Sequence, residues 1–175
     1  MTPLFIETNR LIISEFTEDM CEAVHKNSLD DATREFVPDE VFETAADALA
    51  TIRHLTECYN VSDAPKVYPI SLKTGEHIGY VQAVPFDDAL WEVGYKIAEQ
   101  HRGNYYAAEA VTAFLPVIMP NLNLAEIIGI CQATNLASIS VLERCGFVFI
   151  GEKSVLYYGE PHKIRKYKYN LINGV

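Results

Sequence analysis

VGYKIAEQHRGNYYAAEA, residues 93–110, runs from the end of a strand through a short loop into a helix. Val93, Tyr95 and Ile97 alternate with smaller or polar residues, as a half-buried strand requires. Arg102-Gly103-Asn104 is the loop, and from about Asn104 the stripe Ala107, Ala110, Val111 and Phe114 recurs at helical spacing. Unpaired N–H groups at a helix start, beside a glycine that permits close approach, suit an anion. A diphosphate sits in such a place without a metal. An ordinary tight strand-to-helix turn has the same local sequence, so this segment alone leaves both readings standing.

Upstream, residues 66–74, 77–86 and 90–98 are short Val-, Ile- and Tyr-rich segments. Thr74-Gly75-Glu76 and Asp87-Asp88 stand between them, which predicts an antiparallel meander. Before it, residues 4–16 read as a strand, and Thr17 caps a short helix carrying Val24 and Leu29. The polar segment 30–42 with Pro38 reads as a loop. Thr44 then caps a second helix, with Asp47 at the third position and Ala48, Ile52, Leu55 and Tyr59 on one face. Downstream, Pro116 is expected to kink or end the helix. Residues 125–132 form a buried-type strand, and 136–145 a helix closed by Gly146. Two strands follow at 147–155 and 165–172, around a loop at Gly159-Glu160-Pro161. The order βααβββαβαββ predicts one α/β (α+β) domain over residues 1–175, a mixed, mostly antiparallel sheet with helices on both faces.

Composition agrees with one globular unit. The chain has 175 residues, 49% apolar and 22% charged, with 9 Gly and 8 Pro. That excludes collagen, low-complexity disorder and linker-dominated chains. Fourteen Lys and Arg against 24 Asp and Glu leave a net charge of −10, which repels nucleic-acid phosphates. Cys21, Cys58, Cys131 and Cys145 share no CxxC spacing and read as buried free thiols in a reducing compartment. No apolar run is long enough to span a bilayer and no signal peptide is evident, so a cytoplasmic location is expected, with no membrane partner. His54, His77 and His162 show no metal-ligand spacing, so no metal is expected.

Two further positions bear on chemistry. Asn135, where strand 125–132 gives way to a helix, either bridges the amides of a linear ligand or caps the helix, and Ser138 in the first turn shares that ambiguity. Glu92 alternates with Trp91 and Val93 on its strand, which sets it on the face of Gly94 and Lys96. It is a candidate general base with open space beside Gly94, or a strand carboxylate paired with Lys96. Glu99 and Glu109 read as surface residues. Phe36 and Tyr80 are candidates to line an acceptor pocket. Tyr157, Tyr158, Tyr167 and Tyr169 read as packing of the last hairpin.

Together these segments resemble the GCN5-related N-acetyltransferase superfamily. Its acetyl-CoA signature is matched by Gln100-His101-Arg102-Gly103-Asn104-Tyr105. Glu92-Val93-Gly94-Tyr95, Tyr105-Tyr106-Ala107-Ala108-Glu109-Ala110, Asn135 with Ser138, Gly146-Phe147 and Glu7-Thr8-Asn9-Arg10-Leu11 are similar to the bacterial ribosomal-protein N-terminal acetyltransferase branch. The resemblance covers nearly the whole chain. It implies acetyl transfer from acetyl-CoA, with no metal, to an amine acceptor: a protein N-terminus first, a polyamine, antibiotic amine or amino acid as rivals. A non-catalytic acyl-CoA sensor is the alternative from another class.

The same resemblance implies that Ile97, Arg102, Gly103, Asn104, Tyr105, Tyr106, Ala107 and Asn135 hold the cofactor, and that Ser138 is catalytic beside Glu92, the candidate base read from its strand. It leaves monomer and homodimer open. Tyr105 stands where the family has its second glycine, and donation from its N–H is expected to need a negative φ. Leu142 stands where many members carry a tyrosine proposed as general acid. In the ribosomal-protein branch the serine that aligns with Ser138 is the candidate instead.

Overall fold

The computed structural model describes residues 3–87, 90–157 and 159–171. Asp88 of the expected turn and Tyr158 of the aromatic group lie outside the described residues. Eight strands form one sheet in the order β1-β2-β3-β4-β5-β6-β8-β7. They are β1 Ile6–Glu7, β2 Leu11–Ile13, β3 Lys66–Leu72, β4 His77–Pro85, β5 Trp91–Ile97, β6 Glu126–Gln132, β7 Val148–Tyr157 and β8 Glu160–Asn170. The helices are α1 Cys21–Asn27, α2 Asp31–Phe36, α3 Ala45–Cys58, α4 Tyr106–Asn121 and α5 Leu136–Arg144.

Neighbours pair antiparallel except β5 and β6, which run parallel with Glu92 opposite Ile128. The expected α/β class and mixed sheet are therefore present. Alternation divides the core between the faces. Tyr68, Ile70, Val81 and Ala83 pack with Phe114, Leu115 and Ile118 of α4. Val67 packs on the other face with Ile52 of α3 and Val24 of α1. Cys58, Cys131 and Cys145 are buried, Cys21 is half-buried, and all four are free thiols.

Several local expectations are corrected. The single strand at 4–16 is a hairpin, because the Thr8 hydroxyl takes the Leu11 N–H at 2.9 Å and turns the chain at Asn9-Arg10. Thr17 makes no side-chain cap, and a 3-10 turn precedes α1. The segment 30–42 contains α2, capped by Asp30, which accepts from the Thr33 N–H at 3.1 Å, and then a 3-10 turn at Pro38–Glu40. α4 does not end at Pro116, and it passes Pro120 as well. A proline removes one backbone bond. Here Phe114, Leu115, Ile118 and Met119 are all buried, and their packing holds the turn. Glu160 and Pro161 belong to β8 rather than to the connecting loop.

Two local signals are present as expected. Thr44 and Asp47 form a reciprocal capping box at the start of α3. After α5, Gly146 has φ +84°, its N–H reaches Glu143 O, and the Phe147 N–H reaches Leu142 O, a Schellman closure. Glu109 is not a plain surface residue. It accepts from Thr8 Oγ1 at 2.6 Å and from Arg10 Nε at 2.7 Å, tying the β1–β2 turn to the start of α4.

Candidate active site

Past the Glu92–Ile128 pair the two parallel strands part. Gly94, Tyr95, Lys96 and Ile97 of β5 and Ile130, Cys131 and Gln132 of β6 line the opening between them. The resulting cavity is about 780 Å³, and the first turns of α4 and α5 border it. One cleft thus collects both segments singled out in the sequence, as expected where strand carboxyl ends diverge.

The loop into α4 begins with a 3-10 turn at Glu99–His101. The Arg102 N–H is donated back to Glu99 O at 3.2 Å. Its guanidinium donates to Ile97 O at 3.0 Å and to Asp30 Oδ1 at 2.7 Å. Arg102 therefore ties the loop to β5 and α2 through its Nε and one Nη donor, while its backbone N–H is turned back onto the loop. Asn104 Nδ2 likewise folds back onto His101 O and Arg102 O. Gly103 has φ +78°, a conformation that favours glycine, and open space where a Cβ would stand.

Tyr105 has φ +62°, ψ +16°, the left-handed region, and not the negative φ that donation from its N–H is expected to need. Left-handed and helical residues in succession can aim neighbouring N–H groups into one concavity. The Arg144 guanidinium lies 4.6 Å from the centre of the Tyr105 ring. The amides of the first turn of α4 have no partner within the helix.

On the opposite wall, Asn135 is the N-cap of α5, its Oδ1 accepting from the Ser138 N–H at 3.0 Å. The capping role is real, and the residue also lines the cleft. The Tyr95 hydroxyl lies 3.0 Å from both Ser138 Oγ and Ser138 O. Leu142 is buried and fills the space above Gly129, where a Cβ would meet Leu142 Cδ2 at 2.5 Å.

Glu92 lines the cleft from β5. Burial pushes its carboxyl up from 4.5 to about 7, against a hydrogen bond from the Ile130 backbone and the charge of Lys166. Among the described residues no ion pair within 4 Å includes Glu92, so the alternative pairing with Lys96 is not formed. The open space expected beside Gly94 is filled, because Gln82 Nε2 lies 2.6 Å from where a Cβ would stand.

At the far end Phe36 and Tyr80 both line the cleft, with Val37, Phe86, Val155 and Ile164. Tyr80 donates its hydroxyl to Glu40, whose carboxyl burial pushes up. Burial pulls Lys96 down, with Glu40 and Asp30 opposing. Asp30, Glu40 and Tyr95 were not singled out from the sequence. The spacing Asp30-x-x-Thr33 is the one local signal that marks the helix cap there. Among the described residues no group of three His, Cys, Asp or Glu is placed to hold a metal ion. No described helix is long and apolar enough to cross a membrane.

Comparison with known proteins agrees with this geometry. The family model described as "Acetyltransferase (GNAT) domain" matches residues 10–148. The uncharacterized N-acetyltransferase YnaD of Bacillus subtilis is 29% identical over 147 residues, 82% of each chain. A GNAT-family acetyltransferase from Bacillus anthracis superposes with TM-score 0.83 at 24% identity, over 95% of this chain and 98% of that one. RimL, a ribosomal L7/L12 α-N-protein acetyltransferase solved with coenzyme A, gives TM-score 0.83 at 17% identity, over 95% and 98%. With the strand–Gly–helix loop, the cleft between parting parallel strands and a family match over most of its length, the chain belongs to the GNAT family of acetyl-CoA-dependent acetyltransferases.

Proposed function

We propose that the chain transfers the acetyl group of acetyl-CoA to an α-amine, a protein N-terminus, by direct attack within a ternary complex. The observation that carries this reading is Glu92. A carboxyl held near 7 by burial, in the same cleft as the start of α4 and Ser138, suits general-base work at neutral pH. An α-amine has a pKa of about 7.7–8.0 and a lysine-type amine about 10.4, so the neutral fraction of the first is roughly 400-fold larger at pH 7. A single carboxyl near 7 is matched to the easier proton.

The acceptor end of the cleft argues the same way. Phe36, Val37, Phe86, Val155 and Ile164 are apolar, and Glu40, the other carboxyl there, is raised by burial and bonded to Tyr80. A polyamine carries several charges, and among the described residues that line the cleft the only carboxylates are Glu40 and Glu92, both raised by burial. RimL, named for an N-terminal acceptor, shares the fold.

In this reading the N–H groups of Gly103 to Ala107 hold the diphosphate at the start of α4, with Ile97 beside the pantetheine arm. Arg102 serves by holding the loop to α2. Asn135 keeps its Nδ2 for the amides of that arm while its Oδ1 caps α5. The amine attacks the thioester carbonyl, Glu92 takes its proton, and Ser138 stabilises the departing thiolate, aided by the positive end of α5. Thiol release from acetyl-CoA across N-terminal peptides, spermidine and aminoglycosides tests the assignment. Peptides are expected to lead. A strong preference for spermidine overturns the acceptor, and acetyl-CoA binding with no turnover on any amine overturns the enzyme.

A further inference from the structure

Tyr95 enters the cleft from β5 and meets Ser138 across the opening, on α5. Burial pushes its phenol well above the ordinary value, so it stays protonated and acts as a donor. Its proton has an acceptor in the Ser138 carbonyl at 3.0 Å, and the Ser138 hydroxyl lies equally near, in a contact where either oxygen can be the donor. The Ser138 N–H is already given to Asn135. In an α-helix the Ser138 carbonyl has a partner four residues on, so the hydroxyl gains most from the phenol. Leu142 is apolar and packed over Gly129, so the phenol at this point of the cleft comes from the sheet rather than from α5.

We infer that Tyr95 is a positioning residue for the acetyl transfer: by donating to Ser138 Oγ it turns the serine's own hydrogen toward the leaving sulfur. The inference rests on the proposed role of Ser138. As the amine nitrogen bonds the acetyl carbon, the C–S bond breaks and its electron pair stays on sulfur. The amine proton passes to Glu92. An aliphatic hydroxyl is a far weaker acid than a thiol, so Ser138 keeps its proton and stabilises the thiolate by a hydrogen bond. Coenzyme A then takes a proton from water. A donor that itself accepts a hydrogen bond is polarised and becomes stronger, which is what Tyr95 supplies.

Hydroxylamine is the probe, a small amine that is neutral at pH 7, so it needs no deprotonation before attack and no acceptor-specific pocket. Tyr95→Phe is expected to slow coenzyme A release about tenfold, as loss of one hydrogen bond in a charge-stabilising chain. Its acetyl-CoA Kd by calorimetry and its melting temperature stay near wild type. Ser138→Ala slows release at least as much, and the double variant is no slower than Ser138→Ala, because Tyr95 acts through Ser138. With the acetyl selenoester of the cofactor, whose selenolate leaves more readily, the Tyr95→Phe loss shrinks.

Losses that multiply in the double variant, or a penalty equal for both donors, overturn the inference. If Ser138→Ala is slowed and Tyr95→Phe is not, this inference alone falls. If Ser138→Ala keeps the full rate, the role of Ser138 falls and this inference with it.

Discussion

Replacing Glu92 with Gln keeps the shape of the side chain and removes its charge, so it separates what the carboxyl does for catalysis from what it does to the fold. Below pH 4.5 the carboxyl is protonated in both folded and unfolded chains. Between 4.5 and about 7 the folded chain holds a proton that the unfolded chain has released. Stability then falls as pH rises, by up to about 1.36 kcal/mol per pH unit. Above about 7 the whole effect is in place, about 3 kcal/mol for that rise. Glutamine never ionises, so the Glu92→Gln protein gains on wild type by that amount between pH 4.5 and 8.

For a chain of this length the gain is about 6–12 °C in melting temperature. Activity moves the other way: kcat/KM on an N-terminal peptide falls about 10²–10⁴-fold near neutral pH and partly recovers at higher pH, where the free amine needs no base. Thermal melts at pH 5 and pH 8 and a pH–rate profile read both. A melting difference that is the same at the two pH values refutes the buried carboxyl, and wild-type rates at pH 7 refute the base.

Three further outcomes are expected. Gly103→Val forces a β-branched side chain into φ +78° and closes the approach to the first turn of α4, so acetyl-CoA affinity by calorimetry drops sharply, and unchanged affinity removes the diphosphate site. Asn135→Ala lowers stability by about 1 kcal/mol through the lost cap and raises the acetyl-CoA Kd about 2- to 13-fold, whereas Asn135→Asp restores the melt but not the affinity. Asp30→Asn keeps the cap of α2 and loses the charged pairing with Arg102, so a melt close to wild type with weaker acetyl-CoA binding marks the tie between α2 and the loop. Asp30→Ala loses both.

The sequence was most legible where a few neighbouring residues decide the outcome. The capping box of Thr44 and Asp47, the glycine closing α5 and the Gly103 loop each act over three or four positions. Alternation in the meander was readable for the same reason. Pairings across the sheet were not. Tyr95 and Ser138 are 43 residues apart and Asp30 and Arg102 are 72 apart, and nothing local announces either contact. Where local rules conflicted with packing, packing prevailed, as at Pro116. At Tyr105 no local signal announces the left-handed conformation or the Arg144 guanidinium over the ring. The helix at 31–36 was obscured by its polar surroundings and Pro38, although Asp30 marks its start.

Because β5 and β6 run side by side only near Glu92 and Ile128, the chain divides at the end of α4 into an early half, β1 through α4, and a late half, β6 through β8. Each half is held by its own antiparallel pairings: β3, β4 and β5 join neighbours in sequence, as do β7 and β8, while β6 pairs with β8 across α5 and β7. The seam between them is a partly opened zipper, and a linear molecule lying in the opening touches both sides. Such a molecule acts as a clasp: two fragments cut near Asn123, which has φ +55° at the end of α4, would reassemble more tightly in its presence, by the free energy of its binding.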